Sequence, residues 1–108
     1  MTSAVFSVAD NKYCGFSITG HSGYSHAGSD IVCAAVSLAA YLMANLLEAS
    51  DVLTKTSVED GKMTVFVLTA SDKADLLIKA LYEHLSALSR QYPQHVKTAK
   101  LKLQAGGK

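Results

Sequence analysis

Cys14, His21, His26 and Cys33 all fall within the first third of a 108-residue chain. A thiol attacks a carbonyl only as thiolate, and an imidazole beside it can take and return the proton, so a paired cysteine and histidine suffice for acyl transfer. Cys33 stands three residues after Asp30, where a glycine- and serine-rich stretch (20–29) gives way to a long apolar run. The position predicts the first turn of a helix, where unpaired amides and aligned peptide dipoles favour an anion. It would equally suit a cysteine packed as a small hydrophobe. His21 directly follows an apolar alternating segment and is anchored by it; His26 lies mid-loop with nothing to pin it. As a zinc set the four residues are poorly spaced, because structural sites present ligands in close pairs and the separations here are seven, five and seven. Gly20, Gly23 and Gly28 match neither a phosphate loop nor a dinucleotide fingerprint. No metal and no cofactor is expected.

The elements that must position these residues follow from periodicity. Residues 3–9 alternate as a strand, with Ala4, Phe6 and Val8 on one face; Asp10-Asn11-Lys12 turns the chain, and residues 13–19 form a second strand. Gly20 to Ser29 reads as a mobile surface loop. Ser29 or Asp30 is placed to cap the next helix. From Ile31 to Ala49 only Ser37, Asn45 and Glu48 interrupt an apolar run, which is about the minimum length for a membrane span but lacks basic flanks. A helix apolar all round in a small domain is better read as the buried centre of the fold. Residues 51–59 and 63–69 are two strands joined at Asp60-Gly61. The second is apolar on both faces, with Met63, Val65 and Val67 opposed to Phe66 and Leu68, so both faces should be covered, one by helices and the other by a second subunit. Ser71 or Asp72 opens a helix carrying Leu77, Leu81, Leu85 and Leu88, which ends at Tyr92-Pro93. Residues 95–103 form a last edge strand. The order β-β-α-β-β-α-β describes one α+β domain over residues 1–108, two helices on a mostly antiparallel sheet.

Charge divides unevenly. Residues 1–83 hold five lysines against nine carboxylates, whereas Arg90, Lys97, Lys100, Lys102 and Lys108 follow with no carboxylate. A basic end suits an anionic partner such as RNA, or simply a solvated strand and tail. Two cysteines are too few for a disulfide framework, and no secretory signal precedes the first strand, so a reducing, cytoplasmic setting is expected.

Gly20-His21, followed after an irregular loop by Asp30-Ile31-Val32-Cys33-Ala34-Ala35-Val36-Ser37, resembles the ribosomal-processing cysteine protease (Prp) family. That family pairs a Gly-His with an Asp-Ile-Val-Cys-Ala-Gly/Ala-x-Ser block, and His21 and Cys33 stand twelve positions apart here, as in that family. The resemblance implies a cysteine endopeptidase that removes a short N-terminal extension from a large-subunit ribosomal protein, acting as a homodimer without metal. It implies Cys33 as nucleophile and His21 as general base and acid, and it places Asp30 and Ser37 near the site. It gives His26 no role. The glycines at 23 and 28 would let the loop open for substrate and close on it, and backbone amides at the helix start would serve as oxyanion donors. The rival reading is a non-catalytic ribosome- or RNA-associated module with an incidental cysteine.

Overall fold

The computed structural model describes residues 1–20 and 27–103, with residues 27–30 described by their backbone alone. The chain runs β1 (Thr2–Ala9), β2 (Lys12–Thr19), α1 (Ala27–Ala49), β3 (Thr54–Glu59), β4 (Lys62–Val67), α2 (Asp72–Gln91) and β5 (Val96–Lys102). The expected α+β order therefore holds. The strands form one sheet in the order β3-β4-β2-β1-β5, antiparallel throughout except where β5 pairs parallel with β1.

The β1–β2 hairpin turns on Asp10 and Asn11, both at positive φ (54° and 64°). That pairing of short polar residues gives a turn whose twist matches the strands. Cross-strand partners Ala4 and Ile18, Phe6 and Phe16, Phe16 and Val65, and Ile18 and Met63 bring the buried side chains to one face. Against that face lie Val32, Val36, Ala40, Met43 and Leu47 of α1, and Ala74, Ile78, Leu81 and Leu85 of α2. Ser71 caps α2, its hydroxyl accepting from the Ala74 amide at 3.1 Å, and the Asp75 carboxylate accepts from the Tyr13 amide at 2.7 Å, tying the helix to β2.

Three expectations need correction. α1 begins at Ala27, so Asp30 and Ser29 lie inside the helix rather than ahead of it, and neither is its cap. α1 is also not buried all round. It is long and apolar enough to cross a membrane by length and composition (Ile31–Ala49, mean hydropathy 1.8), but only 28% of that stretch is buried. One stripe faces the sheet, while Ile31, Leu38, Leu42 and Leu46 form an exposed apolar stripe on the outer side. β4 packs one face against the helices, as expected, and within this single chain Phe66 and Leu68 on the other face are exposed. β3 starts at Thr54, later than read, because Asp51 (φ 63°) closes α1 instead, with the Val52 amide bonding back to the Leu47 carbonyl at 2.9 Å.

Gly15 sits opposite Phe66, whose ring leans over it. A Cβ there would stand 2.7 Å from the Val65 carbonyl oxygen and 3.0 Å from Phe66 Cδ1. Gly15→Ala is accordingly expected to destabilise the sheet by about 1–3 kcal/mol, the usual cost of overpacking, as read by chemical denaturation.

Candidate active site

The two ends of the Gly-His…Cys pattern converge on one end of the sheet. β1 begins at Thr2, whose amide donates to the His95 carbonyl at 2.8 Å, and β2 ends at Thr19, paired with Ser3. The next residue, Gly20, has φ 91°, and its amide donates to the Gly61 carbonyl of the β3–β4 turn at 3.2 Å. A Cβ on Gly20 would lie 2.1 Å from the Met1 carbonyl oxygen, so two backbones meet there with no room for a side chain. His21 is joined to Gly20 by the next peptide bond; His21 itself, His26 and the proposed gating loop up to residue 26 lie outside the described residues. Cys33 comes to the same end from α1. Its Sγ is 3.1 Å from the Thr2 Oγ1. The sheet end formed by Met1, Thr2 and Gly20 thus holds the thiol and the chain segment that leads into His21.

Cys33 is half-buried, six residues into α1. Here the structure departs from the reading of the sequence. Amides that far into a helix bond to carbonyls four residues back, and the macrodipole acts within the first turn. The Cys33 amide is therefore not a free oxyanion donor, and among the described residues the polar side-chain partner of the sulfur is not on the helix. The partner is Thr2, which the reading of residues 3–9 as the first strand left out. The period was there to find: Thr2, Ala4 and Phe6 continue one buried face.

Asp30 lies on α1, one turn before Cys33, and its side chain is outside the description. Ser37, one turn beyond, is half-buried and lines a cavity of about 40 Å³ with Ile18, Ala40, Val58, Gly61 and Met63. That cavity opens between α1 and the β3–β4 hairpin, on the Gly61 side of the same sheet end.

Cys14 belongs elsewhere. It is the extra residue at a bulge where the β1–β2 register shifts between Ser7 and Val8, and its Sγ lies 3.5 Å from the Ser7 carbonyl. Along β1 that is about 16 Å from Thr2 at 3.3 Å per residue. Cys14 and Cys33 therefore cannot ligate one zinc ion or form a disulfide. Burial pushes the Cys14 thiol up, partly opposed by a backbone hydrogen bond at Ala9. Its alkylation is expected to be slow at pH 7 and to rise about tenfold per pH unit as thiolate forms, read by peptide mapping. The same shift lowers stability at alkaline pH, because the unfolded chain releases this proton first.

Comparison with known proteins gives the family. The family model for cysteine protease Prp matches residues 1–97. The chain belongs to the cysteine protease Prp family. Its enzyme class follows: a peptide hydrolase that uses a cysteine. Among solved structures, SMU.848 from Streptococcus mutans is 27% identical with a TM-score of 0.87, covering 95% of this chain and 99% of that one. The ribosomal processing protease Prp from Staphylococcus aureus, solved in complex with a substrate peptide, is 19% identical with a TM-score of 0.86, covering 94% of this chain and 100% of that one. The same S. aureus protein with a covalently linked product peptide matches at 20% identity and a TM-score of 0.83, over 94% and 100% of the two chains. Among curated proteins none matches.

Proposed function

We propose that this Prp-family chain is the endopeptidase that removes the short N-terminal extension of a large-subunit ribosomal protein during ribosome assembly in the cytoplasm. Cys33 attacks the scissile carbonyl, and His21 takes the thiol proton and delivers it to the departing amine. The family match over residues 1–97 carries this reading, and it is supported by the meeting of Cys33, Thr2 and Gly20 at one sheet end. The substrate class comes from the S. aureus relative, described as a ribosomal processing protease.

The working unit is a homodimer. What supports this is the apolar stripe Ile31, Leu38, Leu42 and Leu46, which a lone chain leaves in water. The basic C-terminal part adds a ribosome contact through Lys97 and Lys102, both exposed on the edge strand β5. Lys100 contributes less, because its ammonium is held 4.8 Å from the Tyr82 ring centroid and 5.7 Å from that of Tyr13.

The test is incubation of the reduced enzyme with the ribosomal protein bearing and lacking its extension, followed by mass spectrometry. A single cut at the extension boundary, and none in the trimmed protein, is expected. An intact extension in the presence of reduced Cys33 would overturn the substrate assignment.

A further inference from the structure

The hydroxyl of Thr2 has no part in the sequence pattern, yet among the described residues it is the polar side-chain group against the proposed nucleophile. Thr2 is 1% exposed, so water cannot stand in for it, and its Oγ1 lies 3.1 Å from Cys33 Sγ. Three features fix that oxygen. The Thr2 amide bonds to the His95 carbonyl, Thr2 pairs with Val96 of β5, and a β-branched side chain has little freedom at χ1.

We propose that Thr2 is a positioning residue for the protease reaction, its buried hydroxyl holding the Cys33 sulfur in place as the thiolate forms. In the resting thiol either atom can donate. Once the thiol proton has moved to His21 the sulfur carries no hydrogen, and only the hydroxyl can donate. The bond then becomes a charge-assisted one, the stronger kind. Thr2 keeps its own proton throughout. As the carbon–sulfur bond forms, negative charge passes to the carbonyl oxygen and the hydroxyl's hold on sulfur relaxes. The hydroxyl thus does at Cys33 what the helix start was expected to do, and it does so from the far end of a different element. The inference rests on Cys33 being the nucleophile, not on which peptide is cut.

Thr2→Val keeps the side chain's shape and removes the donor; Thr2→Ser keeps the donor. Two readouts are made on each: steady-state cleavage of the extension-bearing ribosomal protein, and the rate of Cys33 alkylation by iodoacetamide at neutral pH, with Cys14 separated by peptide mapping. Thr2→Val is expected to lower kcat about tenfold to a hundredfold with KM within about twofold, as loss of a hydrogen bond to a charged group implies. Cys33 alkylation should slow several-fold, since the attacking sulfur loses the donor that holds it. Thr2→Ser should restore both. If valine prevents folding, Thr2→Ala removes the same donor and answers the same question. Wild-type kcat and alkylation without the hydroxyl would overturn the inference, as would equal losses in the serine variant. A wild type that leaves the ribosomal protein uncut, with alkylation still dependent on Thr2, would fail the substrate reading and keep this one.

Discussion

Cys33→Ser is expected to lower cleavage on the order of 10⁵-fold, the scale seen when a protease loses its covalent nucleophile. Serine is the informative replacement. Its hydroxyl still meets Thr2 Oγ1, so the buried hydroxyl, 1% exposed, keeps a partner. An alcohol at neutral pH does not ionise as a thiol does, so the chemistry is lost while the packing stays. Cys33→Ala would remove the same activity but leave Thr2 facing a methyl group, at a cost of about 1–3 kcal/mol for an unsatisfied buried group. Thermal unfolding separates the two effects: the serine variant should melt near wild type and the alanine variant below it. A serine variant retaining more than a few per cent of wild-type cleavage would mean that Cys33 does not form the acyl intermediate.

Gly20→Ala carries the next largest effect, through geometry alone. At φ 91° an L side chain is strained, which costs about 1–3 kcal/mol. The added Cβ would also stand 2.1 Å from the Met1 carbonyl oxygen, a distance that side-chain rotation cannot relieve because both groups are backbone. The ends of β1 and β2 must separate, and that movement displaces Thr2 on one strand and the attachment of His21 on the other. A loss of a few kcal/mol is a large part of the stability of a domain this size. We expect Tm to fall by about 10 °C and kcat/KM to fall at least about tenfold in the protein that remains folded at 25 °C. Unchanged kcat/KM in a folded Gly20→Ala protein would show that this sheet end does not set the catalytic geometry.

The sequence showed the family pattern more sharply than it showed the structure around it. The order of elements could be read because alternation in β1 and β2, the Asp60-Gly61 turn before β4 and the Ser71 cap of α2 are local signals. That pattern could be read because each of its parts, Gly20-His21 and Asp30 to Ser37, is contiguous. The start of α1 could not, because Ala27-Gly28-Ser29 carries no apolar period and glycine and serine are weak helix formers. That one error of position changed the chemistry, since it moved Cys33 out of the first turn. Nor was Thr2 visible as a partner of Cys33: their meeting depends on strand register and on how α1 crosses the sheet, which no short window contains. The apolar run 31–49 was read correctly as helix, but composition does not say which side of it the chain itself covers. Only the stripe from Val32 to Leu47 packs inward.

The most direct test of Cys33 as the nucleophile of a peptide hydrolase is stoichiometric labelling by the extension peptide carrying a C-terminal chloromethyl ketone, read by intact mass and peptide mapping. The account predicts one label per chain, on Cys33 and not on Cys14, with activity lost in step with labelling and no label in Cys33→Ser. Inactivation with Cys33 unlabelled, or equal labelling of both thiols, would contradict it.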